Sequence, residues 1–250
     1  MEMTELWIPS TKDGTAQPSL FYPASKPSRP LLVGLHTWSF DRHNQVGRLT
    51  PVAERLDFNL LLPEFRGPNL ASNPDCRKAC GSELAKQDIK DAIDHVVREH
   101  GADAENVFLL GMSGGGHMAL LMAGFIPEYF KAVAAVVPIT DLREWAAGSE
   151  KYRPSITACC GGSEQEMAAR SPVAYLDTIA RANVKLLHGK FDRTVPVAQS
   201  IDFYGRMMQA HPDARVFLDI FDGGHEIDMT TAMHWLLSQY RGAETNEVTG

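Results

Sequence analysis

Short apolar runs alternate along the chain with longer segments in which apolar residues recur at helical spacing. The apolar runs predict buried strands at residues 30–38, 59–63, 107–110, 132–137, 184–189 and 216–221. The periodic segments predict helices at residues 44–56, 83–100, 197–210 and 229–240. Ser82 is a suitable N-cap for the second of these helices, and Gly101 is a suitable stop signal.

Strands that alternate with helices predict an α/β fold whose mostly parallel central sheet has helices on both faces. Residues 1–30 instead contain short strand-like pieces broken by prolines, which predict an antiparallel edge. Residues 138–180 are too long for an ordinary connection, so we expect an insertion with helices of its own that covers the active site. Because the sequence contains no segment typical of an interdomain linker, we expect residues 1–250 to form one domain.

Composition and charge narrow the class of protein. Hydrophobic content of 44% and charged content of 22% are ordinary for a globular domain, and a net charge of −7 disfavours a nucleic-acid surface. No window approaches the roughly 20 apolar residues of a membrane span. The N-terminus is acidic and has no apolar signal core, which predicts a cytoplasmic location, and the polar tail from residue 242 is expected to fray.

The four cysteines are Cys76, Cys80, Cys159 and Cys160. No histidine stands near them at zinc-like spacing, so we predict no metal site. We also expect no organic cofactor. Reduced, partly buried thiols are the favoured interpretation. A Cys80–Cys159 or a Cys76–Cys160 disulfide is the alternative, because both segments are expected near the rim of the site.

Residues 111–115, Gly-Met-Ser-Gly-Gly, match the pattern G-x-S-x-G between an apolar strand and a segment of helical character. Glycines permit the sharp turn that would push the Ser113 hydroxyl out of the sheet edge. The alternative is a glycine-rich turn with an incidental serine. His117, in the first turn of the following helix, faces either the site or the core.

A serine nucleophile needs a base within hydrogen-bond reach and an acid that orients the base. His225 is the preferred base because it follows the last strand in a glycine-rich loop. Asp192 is the preferred acid because it lies in the turn after the preceding strand. Asp219 and Asp222 are the alternatives for the acid.

An acyl-transfer site also needs backbone donors for the oxyanion. The Gly114 amide is one candidate, and the second belongs to the loop after the first core strand, where we favour Trp38 over Thr37. We expect Thr37, Met112 and Trp145 to contact the substrate.

Taken together, these motifs resemble the catalytic domain of the prolyl oligopeptidase family of α/β hydrolases over residues 30–240. The resembling segments, in chain order, are residues 35–38, 63–67, 111–116, 171–172, 188–192 and 223–225. The resemblance implies the α/β-hydrolase fold, with Ser113 as nucleophile, Asp192 as acid and His225 as base. It also implies oxyanion amides at Gly114 and near Trp38.

Two departures from that family bear on the substrate. No β-propeller precedes the domain in this sequence, and His-Thr-Trp-Ser at residues 36–39 replaces the usual glycine-rich loop. Both favour a compact carboxylesterase, similar to acetyl esterases, acting on small-molecule esters with small acyl groups. Dienelactone hydrolases are similarly compact but use a cysteine nucleophile, which Ser113 argues against.

The alternatives are a serine peptidase of prolyl oligopeptidase or acylaminoacyl type and a non-catalytic binding member of the fold. We expect no nucleic-acid or membrane partner, and assembly into a homo-oligomer is left open.

Overall fold

A mixed sheet forms the centre of the molecule in the computed structural model, which describes residues 2–244. The strands within that range are β1 (Thr4–Pro9), β2 (Ala16–Tyr22), β3 (Leu31–Leu35), β4 (Asn59–Pro63), β5 (Val107–Met112), β6 (Ala132–Val136), β7 (Val184–Gly189) and β8 (Val216–Phe221). Their order across the sheet is β1-β2-β4-β3-β5-β6-β7-β8. All pairs from β4 to β8 are parallel, whereas β1–β2 and β2–β4 are antiparallel. The predicted parallel sheet with an antiparallel edge is therefore confirmed.

Helices connect the parallel strands. They are α1 (Val46–Leu56), α2 (Glu83–His100), α3 (Gly114–Phe125), α4 (Leu142–Gly148), α5 (Arg153–Cys159), α6 (Glu164–Ala169), α7 (Leu176–Ile179), α8 (Ala198–Ala210) and α9 (Met229–Glu244). The ends predicted for α2 are confirmed, since the Ser82 hydroxyl accepts a hydrogen bond from the Ala85 amide and Gly101 is left-handed, with φ of 66°. The predicted first helix begins instead as a 3₁₀ helix, Arg42–Gln45.

Each face of the sheet carries its own apolar core, because side chains alternate between the faces along a strand. In β5, Val107 and Leu109 belong to the core beneath α2, α3 and α8, whereas Phe108, Leu110 and Met112 belong to the core beneath α1 and α9. Burial on both faces explains why the central strands read as continuous apolar runs.

The predicted insertion contains α4, α5, α6 and α7. A third apolar cluster joins α4 and α5 to the loops that follow β3, β4 and β7, through residues that include Trp38, Cys80 and Val195. Most of the tail predicted to fray lies outside the described residues. Among the helices that are described, none has both the length and the apolar character needed to cross a membrane.

Candidate active site

Ser113 occupies the sharp turn between β5 and α3. Its φ of 54° and ψ of −117° lie in a region that side-chain-bearing residues rarely adopt. The turn is fixed on both sides, because the Ser113 amide donates to the Val136 carbonyl over 2.8 Å and the His117 amide donates to the Ser113 carbonyl over 3.0 Å. The strained geometry predicted from G-x-S-x-G is therefore present.

The flanking glycines are required by close backbone approaches. A Cβ atom at position 111 would lie 2.0 Å from the Gly115 carbonyl oxygen, and one at position 115 would lie 2.6 Å from the Leu35 carbonyl oxygen. Real Cβ atoms essentially never make such contacts. A larger residue at either position would displace the turn that holds Ser113.

His225 bridges Ser113 and Asp192. Its Nε2 atom lies 3.0 Å from the Ser113 Oγ atom, and its Nδ1 atom lies 2.6 Å from the Asp192 Oδ2 atom. The order serine, histidine, carboxylate is the arrangement in which a histidine takes the serine proton while the carboxylate orients the ring. The structure thus brings together the three side chains predicted from the sequence.

The Asp192 carboxylate is buried and well supplied with donors. Its Oδ1 atom accepts from the Thr194 amide at 2.8 Å and the Val195 amide at 2.9 Å, and the His188 Nε2 atom lies 3.4 Å from Oδ2. Burial opposes ionisation, but the bonds from His188, His225 and the Val195 amide outweigh it and lower the pKa of Asp192 well below its ordinary value. The residue is therefore an anion throughout the neutral range.

The backbone amides of Gly114 and Trp38 lie close together next to Ser113. A Cβ atom at Gly114 would lie 2.5 Å from the Trp38 backbone nitrogen, which shows how closely these two segments approach. Within the described residues, neither amide donates to a protein acceptor. The Thr37 amide instead donates to the Asn44 Oδ1 atom over 3.1 Å, which favours Trp38 over Thr37 as the second oxyanion donor.

A cavity of about 280 Å³ opens beside Ser113 and His225. Its apolar walls are Trp38, Phe40, Val137, Tyr152 and Ile227. Its polar walls are Thr37, Ser39, Asn44 and Arg48. Thr37 therefore lies where a substrate contact was predicted.

Met112 and Trp145, the other two predicted substrate contacts, do not line the cavity. Met112 ends β5 with its side chain in the core beneath α1 and α9, because alternation along the strand points it away from the site. Trp145 is buried beneath the cavity wall, where its indole NH donates to the Thr194 carbonyl over 2.8 Å. It stacks on Tyr152, with ring centroids 4.7 Å apart, so Tyr152 rather than Trp145 reaches the cavity.

His117 faces the core rather than the hydroxyl of Ser113. It is buried, and its Nε2 atom lies 2.7 Å from the Arg170 carbonyl oxygen. Burial lowers the pKa of His117 to about 4. The ring is therefore neutral at pH 7.

The four cysteines are buried free thiols. In the part of the chain that the structure describes, no cluster of three or more histidine, cysteine or acidic side chains has the geometry of a metal site.

The fold and this Ser-His-Asp arrangement define a serine hydrolase of the α/β-hydrolase class. The model of the prolyl oligopeptidase family matches residues 57–241. The chain belongs to the prolyl oligopeptidase family. The resemblance predicted from the motifs is thereby confirmed.

Relatives of this chain include acylamino-acid-releasing enzymes. The chain is 27% identical to that of Rattus norvegicus over 178 residues and 26% identical to that of Homo sapiens over 178 residues, and each match covers 66% of this chain and 24% of the relative. A solved structure of Pyrococcus horikoshii acylaminoacyl peptidase superposes with a TM-score of 0.73 at 19% identity, covering 98% of this chain and 41% of that one. The structural likeness supports the α/β-hydrolase fold.

The chain spans about a quarter of the length of the curated relatives that it matches. The prediction that residues 1–250 form a single domain stays a prediction.

Proposed function

We propose that Ser113, His225 and Asp192 hydrolyse acyl compounds through a covalent acyl-enzyme. His225 takes the Ser113 proton as Oγ attacks the carbonyl carbon, and then gives that proton to the leaving group. Asp192 holds the imidazole in the required tautomer and stabilises its protonated form. The observation that carries the proposal is the bridging position of His225, with contacts of 3.0 Å and 2.6 Å.

The tetrahedral intermediate would be stabilised by the amides of Gly114 and Trp38. Both donors are already in place, so little reorganisation is needed when charge develops on the oxygen. Asn44 supports this arrangement by occupying the Thr37 amide and holding the loop after β3. The role of Trp38 resides in its backbone, and its ring packs edge-on against Trp145, with centroids 4.9 Å apart.

We propose an amide of an acylated amino-terminal residue as the natural substrate. The curated relatives are named acylamino-acid-releasing enzymes, and the family model covers the region that holds all three side chains. An open cavity with aromatic walls suits an acylated residue, whose acyl group and side chain are compact. The peptidase alternative therefore replaces the esterase as the leading hypothesis.

The sequence features that favoured an esterase carry less weight than these relatives. A missing propeller is no argument about substrate, because the chain spans only part of its relatives. Within the described part of the chain, the Trp38 amide in the loop at residues 36–39 still has no protein acceptor. Ester hydrolysis is expected as a second reaction, because esters are intrinsically easier acyl donors for the same nucleophile.

The position of Arg48 supports a negatively charged group on the substrate. It is exposed on α1, lines the cavity and has no carboxylate partner among the described residues. Among the residues described as lining the cavity, none is acidic. We propose that Arg48 attracts a substrate carboxylate, such as the free terminus of a short peptide.

A matched substrate panel tests the peptidase proposal. N-acetylalanine would be presented as a p-nitroanilide, as a p-nitrophenyl ester and as the amide of a short peptide. We expect measurable amide turnover that disappears in Ser113→Ala together with ester turnover. Ester turnover with no amide cleavage would reject the peptidase proposal and leave the esterase. The matched control is Ser238→Ala, at an exposed position on α9, which should keep wild-type turnover.

A further inference from the structure

Four buried thiols lie together beneath the wall of the active site. Cys76 and Cys80 belong to the loop between β4 and α2, whereas Cys159 and Cys160 lie at the C-terminal end of α5. All four belong to the apolar cluster that also holds Trp38. They therefore join two segments of chain that are distant in sequence.

The contacts among the thiols define one pairing. Cys76 is within hydrogen-bonding reach of Cys159, whereas Cys80 is within reach of both Cys159 and Cys160. Only the pairs Cys76–Cys159 and Cys80–Cys160 give every thiol a contacting partner. Each pair joins the loop to α5.

The backbone around the thiols is held by several independent contacts. The Cys80 amide donates to the Asn69 Oδ1 atom over 2.7 Å. The Arg170 guanidinium donates to the Arg77 carbonyl over 3.1 Å and to the Ala79 carbonyl over 3.2 Å. A Cβ atom at Gly161 would lie 2.5 Å from the Arg77 Nη2 atom. The two segments are therefore already close packed, and joining them requires no large movement.

The thiols differ in access and in acidity. Cys76 is 8% exposed, whereas Cys159 is fully buried. A hydrogen bond from Cys80 lowers the pKa of Cys159 despite its burial, and Arg170 adds to this effect. Burial raises the pKa of Cys76. Cys76 is thus the most accessible of the four thiols, and Cys159 behind it loses its proton more readily.

We propose that these cysteines form a thiol–disulfide site in which a low-molecular-weight disulfide, such as glutathione disulfide, joins Cys76 to Cys159 and then Cys80 to Cys160. The Cys76 thiolate attacks one sulfur of the reagent and releases one glutathione thiolate. The Cys159 thiolate then attacks the Cys76 sulfur of the mixed disulfide and releases the second. Cys80, which contacts Cys159, then attacks the Cys159 sulfur and frees the Cys76 thiolate, which attacks a second molecule of the reagent and releases a third glutathione. Cys160 attacks the Cys80 sulfur to form the second bridge, and the Cys159 thiolate that it releases attacks the Cys76 sulfur and expels the fourth glutathione. Each cysteine pair loses two electrons and two protons, and two molecules of glutathione disulfide become four of glutathione.

The cross-links would fasten the inserted helices to the body of the fold. A disulfide constrains the unfolded chain, so oxidation is expected to raise Tm by about 5–15 °C. No cysteine is among the described residues that line the cavity, so the initial rate of ester hydrolysis should change less than about threefold.

Tryptic mapping of the oxidised native protein tests the site without any variant. Cleavage places Cys76 in residues 67–77, Cys80 in residues 79–86, and the adjacent pair in residues 152–170. After incubation with glutathione disulfide, we expect these three peptides to be joined and to separate on reduction. Fragmentation of the peptide bond between positions 159 and 160 should show that the Cys76 peptide is bound to Cys159 and that the Cys80 peptide is bound to Cys160.

Three results would overturn the proposal: four thiols that persist in the native protein, glutathione adducts without joined peptides, or a bridge between Cys159 and Cys160. Cys76→Ser supplies a second test, because removing the most accessible thiol should slow the formation of the Cys80–Cys160 bridge about tenfold. Circular dichroism checks that this variant is folded. Oxidation at the wild-type rate would contradict the order of steps.

Discussion

The His225 Nε2 atom lies 3.0 Å from the Ser113 Oγ atom, although the two residues are 112 positions apart along the chain. The contact is made by two loops at the carboxyl ends of parallel strands, one after β5 and one after β8. Because Asp192 follows β7 at the same edge, the hydrogen-bonded chain is complete without substrate. No closing movement is therefore needed to assemble the three side chains.

Asp192→Asn is expected to lower kcat about 10⁴-fold, by analogy with the corresponding change in a serine protease triad. The Thr194 and Val195 amides would hold the new carbonyl oxygen, so the new NH₂ group would face the His225 Nδ1 atom. The proton of the neutral ring would then reside on Nε2, and His225 could not accept the Ser113 proton. Steady-state kinetics with the N-acetylalanine ester measures the effect.

Asp202→Asn is the matched control, since Asp202 is exposed on α8. The fold of Asp192→Asn should be retained, because the two amide bonds survive the change. Activity within tenfold of wild type would mean that Asp192 does not orient the base.

Gly114→Ala is expected to lower kcat about 10²–10³-fold, the scale of losing one oxyanion donor. The added methyl group would lie 2.5 Å from the Trp38 nitrogen and 2.6 Å from its Cα atom, so the Trp38 amide must move. Gly205→Ala is the control, because a Cβ atom there meets no other atom within 4 Å. Equal kcat values for the two variants, both folded, would argue against a donor at Trp38.

Arg48→Gln is expected to raise KM for a substrate bearing a carboxylate about tenfold, while a neutral substrate with the same acyl group is unaffected. The comparison uses N-acetylalanyl peptides with free and amidated termini. Arg55→Gln is the matched control, because Arg55 is exposed on the same helix outside the cavity lining. An equal change in KM for both peptides would contradict the proposal that Arg48 binds a substrate carboxylate.

His117 is expected to make the fold less stable in acid. The ordinary histidine pKa of 6.5 applies in the unfolded chain, whereas burial lowers the pKa of His117 to about 4 in the fold. As pH falls from 6.5 towards 4, His117 becomes protonated in the unfolded chain but stays neutral in the folded chain. This difference lowers the free energy of unfolding by up to roughly 3 kcal/mol. Above pH 6.5 it costs nothing.

Urea unfolding between pH 7 and pH 4.5 measures this effect as a slope of unfolding free energy against pH. The slope should be shallower in His117→Gln than in wild type, whatever the absolute stability of the variant. His234→Gln, at an exposed position on α9, should keep the wild-type slope. Identical slopes in all three proteins would contradict a neutral, buried His117.

The positions of the three central side chains could be predicted because each follows a strand with a clear apolar signature. Gly111 and Gly115 mark the turn at Ser113, and the glycines before His225 mark a loop after the last strand. Parallel pairing then brings these strand ends together. Periodicity and turn chemistry therefore carry this part of the site.

The cavity walls could not be predicted in the same way. Tyr152 reaches the cavity from the insertion and Arg48 from α1, and neither position follows from a local pattern. The predicted substrate contact of Met112 is wrong because proximity to Ser113 in sequence does not determine the face of the sheet on which a side chain lies. Trp145 was misplaced because the packing of Trp145 against Trp38 and Tyr152 is a tertiary feature.

Ion pairs across long stretches of chain also escaped prediction. Arg66 pairs with Asp13 at 2.9 Å and with Asp88 at 2.5 Å, and Glu64 pairs with Arg42 at 2.7 Å. These contacts depend on how β4 is placed against its neighbours, which the sequence of residues 63–67 does not reveal.

The most direct measurement is the location and rate of labelling by a fluorophosphonate probe, read by mass spectrometry. We predict one adduct per chain, on the Ser113 oxygen, forming far more slowly in His225→Gln than in wild type or in the His234→Gln control. An unlabelled chain, an adduct on another residue, or labelling of His225→Gln at the wild-type rate would contradict the assignment of Ser113 and His225 as nucleophile and base.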